Sequence, residues 1–402
     1  MGALSRRLGR GTGSVIGGRA ILALDPSALR QLAQGRRVAL VSGTNGKTTT
    51  TSLLTSALSV SGPVVSNALG ANLLPGLVAA LAAAPDEARL AALEVDEAWL
   101  GRVVAAVNPE VLLLLNLSRD QLDRNNEVRR LSASWRATIA ERQAGGRPTH
   151  VVANADDPLV VWAALASASV TWVGAGQRWT ADASGCPSCG SRITFADETA
   201  GSWACSSCDL RRPALDIWLD GDAIVTRDGA RVPLHLRLPG RCNQANAAMA
   251  MAGAGHLGVD ATDAVAAMAA TGEVGGRYRT ISVGSTSARL LLAKNPAGWL
   301  EVFDLLAPPP TPVVVAINAR IADGRDPSWL WDVPFERLKG RLVIATGERS
   351  RDLAVRLHYA GVEHRVQPDA RLAVSEAGAP VVDVVANYTS FQAITSRLDH
   401  GH

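Results

Sequence analysis

The sequence predicts an α/β protein of two units, each built on a largely parallel sheet, with a cysteine-bearing module inserted in the first. Three observations predict it. Short apolar runs alternate with helical stretches; a glycine-rich turn joins one such run to a helix; and four cysteines fall as two close pairs where the alternation breaks. Parallel strands need a crossover between them, so strands alternating with helices at this spacing imply parallel pairing. A length of 402 residues suits two or three domains.

Residues 1–35 read as a short helical preface. Within it Asp25-Pro26-Ser27 starts a helix, with Asp25 as N-cap and Pro26 at the first helical position. Residues 36–275 are expected to form the first unit. Arg37 to Val41 is a buried strand, Gly43 to Lys47 a turn, and a helix follows from Thr48 to about Leu58. Further strand-like runs are Pro63–Ser66, Leu90–Val95, Val111–Leu117 and His150–Asn154. The module spans about 176–213. After it come strand-like Leu215–Leu219, Ala223–Thr226 and His235–Leu238, then a helix from about Gln244 to Leu257. Gly272 to Arg279 reads as a hinge. Residues 276–402 form a second, Rossmann-like α/β unit with strands at Arg289–Leu292, Val313–Ile317, Leu342–Ala345 and Val381–Val385 and a helix at Arg351–Tyr359.

Apolar residues make up 47% and charged residues 19%, a globular composition that argues against global disorder. Forty basic against 37 acidic residues leave +3, too even for whole-chain nucleic-acid binding. No secretory signal and no run of about 18 apolar residues is visible, so a cytoplasmic protein is expected. Lys47, Lys294 and Lys339 are the only lysines, which limits where amine chemistry can occur.

Gly43-Thr44-Asn45-Gly46-Lys47-Thr48-Thr49 carries the strongest local signal. Glycines let a backbone bend around phosphates, and a helix N-terminus binds the anion. Lys47 is positioned to reach terminal phosphates and the Thr48 hydroxyl to meet Mg²⁺. Val41 stands where the common phosphate-loop pattern has its first glycine. Cys186-x-x-Cys189, 15 residues and Cys205-x-x-Cys208 form the second signal. Two such knuckles match a tetrahedral Zn²⁺ ribbon, and four thiolates leave no open coordination position, which favours a structural ion. The segment between them carries a single cation, Arg192, which argues against nucleic-acid binding. Cys242 reads as a packed residue.

GTNGKTT is also the form this loop takes in Mur ligases and folylpolyglutamate synthetases, and other segments resemble that family. Glu94, at a strand end, resembles its Mg²⁺-binding glutamate. Asn116-Leu117-Ser118-Arg119-Asp120-Gln121-Leu122-Asp123 is similar to N-[IL]-x-x-D-H-L-D, with Gln121 replacing His. Asn154-Ala155-Asp156-Asp157 resembles the family's NADD stretch. Leu238 to Ala247 is similar to L-x-G-x-H-N-x-x-N-A, with Cys242 in the His position, and Gly276-Arg277 matches a Gly-Arg before the C-terminal domain. The resemblance implies ATP and Mg²⁺ as cofactors, ATP contacts from Gly43 to Thr49 and from Asn246 and Arg277, and Mg²⁺ ligation by Thr48 and Glu94. Many Mur ligases hold a second Mg²⁺ with a carbamylated central lysine, and no lysine lies between Lys47 and Lys294.

Asn318 to Asp332, Gly347 to Ala354 and Arg356 to Gly361, together with the cysteines and Gln121, resemble the MurT branch. That resemblance implies ATP-dependent amidation of the D-glutamate α-carboxylate of lipid II through an acyl phosphate, in peptidoglycan biosynthesis. It also implies a heterodimer with a GatD-type glutaminase, which supplies ammonia and whose Cys–His triad an aspartate of this chain completes. Asp326 and Asp332 are the candidates. Work at the inner face of the cytoplasmic membrane is expected, with Arg6, Arg7, Arg10 and Arg19 available to anionic lipid. Two rivals remain: an amino-acid-adding Mur or folylpolyglutamate-type ligase, and a phosphate-loop nucleotide-binding regulator with a zinc ribbon.

Overall fold

The computed structural model describes residues 14–67, 71–119, 128–196, 201–272 and 278–399. One compact unit comprises Met1–Ser118 and Asn126–Gly275; the other comprises Arg119–Asn125 and Gly276–His402.

The first unit begins with helices α1 (Ser14–Leu24) and α2 (Ala28–Ala33), then β1 (Arg37–Ser42) and α3 (Lys47–Leu58). Next come β2 (Val64–Ser66), α4 (Leu74–Ala82), β3 (Leu90–Glu94), α5 (Leu100–Val107), β4 (Val111–Leu114), α6 (Val128–Ala144), β5 (His150–Asn154), α7 (Pro158–Ala164) and β6 (Val170–Gly174). The ribbon hairpin is β7 (Ile193–Phe195) with β8 (Trp203–Cys205). The unit closes with β9 (Ile217–Asp220), β10 (Ala223–Thr226), β11 (Arg231–Pro233), α8 (Arg241–His256) and α9 (Ala261–Ala269).

Nine strands form one sheet in the order β11-β10-β9-β6-β5-β4-β1-β3-β2. It is parallel from β2 to β9 and antiparallel at β10 and β11. Alternate side chains of β1 and β4 enter opposite cores. Ala39, Val41, Val111 and Leu113 pack with α3 and α8, whereas Val38, Leu40, Leu112 and Leu114 pack with α2, α4, α5, α6 and α7. A sheet buried on both faces needs apolar residues at every position, which is why these strands read as continuous runs.

The first helical signal shifts by two residues. Helix α2 opens at Ala28, and the Asp25 carboxylate accepts the Ser27 N–H at 2.8 Å, forming a turn before the helix. His235–Leu238 is not a strand. Asp228-Gly229 turns the chain so that Arg231 pairs with Val225 and Pro233 with Ala223, the first residue of β10. Past Pro233, β10 offers no backbone to pair with.

The second unit contains β12 (Tyr278–Val283), β13 (Thr286–Leu292), α10 (Pro296–Phe303), β14 (Val313–Ala316), β15 (Val343–Thr346), α11 (Ser350–Tyr359), β16 (His364–Val366), α12 (Ala370–Glu376), β17 (Val381–Ala386) and α13 (Tyr388–Asp399). Its sheet runs β12-β13-β17-β14-β15-β16, parallel except for the β12–β13 hairpin. The segment read as a hinge thus ends in a strand. Among the described residues, no helix is long and apolar enough to cross a membrane.

Candidate active site and metal centre

Strand β1 lies between β4 and β3: the chain leaves it toward β2 on one side and later crosses from β3 to β4 on the other, so the direction of connection reverses there. Ligands of open parallel sheets bind in the crevice formed at such a reversal, beyond the carboxyl ends of the strands. The glycine-rich turn occupies this position. The Thr44 N–H donates to Asn116 O at 2.8 Å and the Asn45 N–H to Asn116 Oδ1 at 3.0 Å. Those two amides therefore brace the loop against the segment after β4. Gly46 has φ 86°, and a Cβ there would sit 2.6 Å from Asn246 Oδ1. A Cβ on Gly43 would sit 2.8 Å from the Leu115 Cβ. Only glycine fits at either position, so the turn keeps its backbone bare and leads straight into α3, as a phosphate-binding loop requires.

Glu94, Thr48 and Lys47 come together here. The Thr48 hydroxyl donates to Glu94 Oε2 at 2.8 Å, and Asn72 Nδ2 to Glu94 Oε1 at 3.0 Å. Glu94 is 2% exposed and its backbone is clamped: Asn67 Oδ1 accepts its N–H at 2.7 Å and Asn67 Nδ2 donates to its carbonyl at 2.9 Å. A buried carboxylate beside a hydroxyl at a phosphate loop fits Mg²⁺, an oxygen-seeking ion usually held by one or two carboxylates and phosphate oxygens. Lys47 Nζ donates to Gly43 O at 2.5 Å, Thr44 O at 3.3 Å and Glu97 Oε2 at 3.1 Å. Asn246, from α8, accepts the Thr50 hydroxyl at 3.1 Å. Cys242 is half-buried in the first turn of α8. Arg277, Gln121, Arg6, Arg7 and Arg10 lie outside the described residues.

The sequence reading missed Glu97, Asn67 and Asn72. Glu97 stood beside Glu94 in the same segment, but an acid three residues past a strand end carries no local mark of a lysine partner. The asparagines lie after β2 and meet Glu94 through sheet pairing alone.

The four paired cysteines converge, with every Sγ within 4.8 Å of the others. Cys186 and Cys208 Sγ are 3.6 Å apart, and Cys189 and Cys205 Sγ 3.5 Å. A disulfide needs about 2.05 Å. Tetrahedral Zn–S bonds of about 2.3 Å place sulfurs roughly 3.8 Å apart, so the donor set fits Zn²⁺. Gly190, φ 82°, supplies the turn after the first knuckle.

The ribbon is fastened to the segment after β5. Trp203 Nε1 donates to Ala155 O at 3.0 Å. Arg212 Nε and Nη2 donate to Asp156 Oδ1 at 2.8 and 2.6 Å, and Asp156 is fully buried. Asp157 caps α7 and also accepts the Leu117 N–H at 2.8 Å, which ties the ends of β4 and β5 together. Burial raises its carboxyl to about 6.

In the second unit the ends of β14 and β17 are locked by two asparagines. The Asn318 N–H donates to Asn387 Oδ1 at 3.1 Å, and Asn387 Nδ2 to Asn318 O at 2.7 Å. Asp323 is buried and accepts the Thr389 N–H at 2.9 Å. Asp326 is exposed and accepts the Ser328 N–H at 2.9 Å, starting the short turn Ser328–Asp332. Asp332 is exposed too and pairs with Arg119 at 3.4 Å.

This architecture defines a phosphate-loop α/β protein of the ligase type, and the comparisons agree. Residues 41–254 match the family model of the Mur ligase middle domain, and residues 292–391 that of the MurT ligase C-terminal region. The chain is 31% identical over 380 residues to the MurT subunit of lipid II isoglutaminyl synthase (glutamine-hydrolyzing) of Streptococcus pneumoniae, covering 88% of this chain and 83% of that protein. It is 27% identical to the subunit of the same name from Staphylococcus aureus strain N315, covering 98% and 94%. Among solved structures, a pseudomurein peptide ligase type C from Methanothermus fervidus shares the fold with TM-score 0.70 and 19% identity, over 90% of this chain and 78% of that one. The chain belongs to the Mur ligase family, in its MurT branch.

Proposed function

We propose that the chain is the ATP-dependent synthetase subunit of a lipid II isoglutaminyl synthase, converting the D-glutamate α-carboxylate of lipid II to D-isoglutamine. One observation carries the reading. The buried Thr48–Glu94 pair and Lys47 meet at the turn after β1, in a chain similar to MurT subunits along most of its length.

A carboxylate is a poor acyl donor because its leaving group is oxide. Phosphoryl transfer from ATP gives an acyl phosphate, and ammonia then displaces phosphate. Glycines 43 and 46 let the backbone approach the triphosphate, and Lys47 stabilises charge on the transferring group. Thr48 and Glu94 would hold Mg²⁺, which would neutralise phosphate charge when bound. Asn67 and Asn72 fix the Glu94 carboxylate in place. The four ribbon cysteines would hold a structural Zn²⁺.

Ammonia comes from a GatD-type glutaminase subunit. Asp332 is the better candidate to complete its triad: Asp323 is committed inside the unit and Asp326 to its own turn, whereas Asp332 is held by an exposed 3.4 Å ion pair with Arg119 that a partner can displace. Trp331 and Tyr359, 54% and 74% exposed with ring centroids 5.6 Å apart, offer apolar surface beside Asp332 for that partner. The reaction takes place at the inner membrane face, where α1 presents Ile16, Arg19 and Leu24 outward. Mass spectrometry of D-Glu-containing lipid II tests the reading, using ATP, Mg²⁺ and ammonium chloride with the chain alone, or glutamine with the glutaminase added. A loss of about one mass unit, OH becoming NH₂, is expected in both. Unchanged lipid II with ATP bound refutes it and favours the amino-acid ligase.

A further inference from the structure

We infer that Glu97 is a displaceable counter-ion for Lys47, occupying the ammonium until phosphate takes it over. The inference rests on the nucleotide-binding reading of the loop.

Lys47 is 6% exposed, and a buried ammonium needs an anion. An ammonium has three protons. Lys47 Nζ donates to the carbonyls of Gly43 and Thr44 and to Glu97 Oε2, and of these Glu97 brings the negative charge. The two carbonyls belong to the loop itself and cannot leave without unfolding it. Glu97 can. Its backbone is anchored, since Trp135, fully buried, donates Nε1 to Glu97 O at 3.0 Å, and Asp96 Oδ1 accepts the Ala98 N–H at 3.0 Å. Its side chain is 12% exposed, so the carboxylate borders solvent on a turn whose backbone is separately held. A phosphate arriving at the loop carries more negative charge than the carboxylate and takes its proton donor. Glu97 thus keeps Lys47 in place at the loop and lowers ATP affinity by competing for it. It is a positioning residue acting through Lys47.

The test is Glu97→Gln in the full chain, with ATP binding measured by calorimetry and melting followed with and without saturating MgATP. Loss of the competing anion is expected to tighten ATP binding about three- to tenfold. The melting temperature should fall without nucleotide and return to the wild-type value with it. The affinity gain should vanish in a Lys47→Ala background, because the coupling runs through that amine. A merely structural Glu97 lowers both melting temperatures equally and leaves the dissociation constant unchanged, which overturns the inference, as does weaker binding. If Glu97→Gln does not fold, Glu97→Asp, which keeps the charge but falls short of the 3.1 Å pair, carries the same expectation. A folded wild-type chain that binds no ATP overturns the nucleotide-loop reading itself.

Discussion

Arg212→Met tests how firmly the ribbon is tied to the sheet. Asp156 is fully buried, and Arg212 supplies two of the four hydrogen bonds that its carboxylate accepts. The others are the Gly176 and Gln177 N–H groups at 2.5 and 3.3 Å. Removing one partner of a buried pair costs about 3–5 kcal/mol. The two surviving amide donors put the expected cost near the lower end, about 3 kcal/mol. In a unit of this size that is a fall of roughly 6–12 °C in melting temperature. The cost depends on pH with a definite sign. Burial already holds the native Asp156 carboxyl above its ordinary 3.8, and losing Arg212, which pulls it down, raises it further, so protonation relieves the variant. The deficit is greatest near pH 7 and shrinks as pH falls toward 5. Calorimetry of wild type and variant from pH 5 to 8 reads both quantities. Asp156→Asn added to Arg212→Met should recover at least half of the loss, since no buried charge remains. A deficit below about 1 kcal/mol, or one flat across that range, refutes the buried-ion argument.

Three further outcomes follow from the same geometry. Lys47→Ala should lower ATP turnover at least about a hundredfold in a chain that still folds, its melting temperature lowered by loss of the Glu97 pair, and undiminished turnover would remove the loop from the chemistry. Cys205→Ser breaks the four-thiolate set; metal analysis should show less than one equivalent of zinc, and limited proteolysis should cut first within residues 184–212, whereas full zinc retention contradicts the site. His150 is held down to about 4 by burial and by the charge of His256, stacked on it at 4.0 Å. It is neutral in the fold and charges near 6.5 when unfolded, so its contribution is complete above pH 6.5 and is lost as pH falls toward 4. Its partial exposure discounts the effect to about 1–2 kcal/mol, and a wild-type minus His150→Gln stability difference that stays constant between pH 7 and 4 would disprove it.

Much of the fold was legible because its strands are buried on both faces. Val38 to Val41 and Val111 to Leu114 are apolar throughout, and no other element suits so short a run beside a glycine turn. The loop and the cysteines were legible for a different reason: their chemistry depends on residues close in sequence. What escaped was set by partners distant in the chain. Strand β12 has half-exposed, mixed residues and forms because β13 folds back on it across Gly284. His235–Leu238 alternates like a strand, but the register fixed at Asp228-Gly229 leaves it nothing to pair with. Arg212 and Asp156 are 56 residues apart, and Lys47 and Glu97 are 50 apart. Such pairs leave no periodicity, so composition and spacing cannot announce them.

The two units place their polar residues by one rule. In parallel sheets the carboxyl ends of the strands gather on one side, each followed by a loop into a helix N-terminus. In the first unit this puts the turn after β1, Glu94 at the end of β3, Asn116 after β4 and the Asp156–Asp157 segment after β5 on one sheet edge. In the second it puts Asn318 after β14, Gly347 after β15 and Asn387 after β17 together. The Glu348 N–H donates to Asn318 Oδ1 at 3.0 Å, and a Cβ on Gly347 would strike Ile317 O at 2.6 Å. The first edge spends its polar groups on a carboxylate, a hydroxyl and an ammonium, a set that can receive charge. The second spends them on amide-to-amide locks that fix loop shape, while its aspartates Asp326 and Asp332 stay at the surface. The first edge is therefore the one equipped to meet a charged ligand, whereas the second is built to fix loop shape.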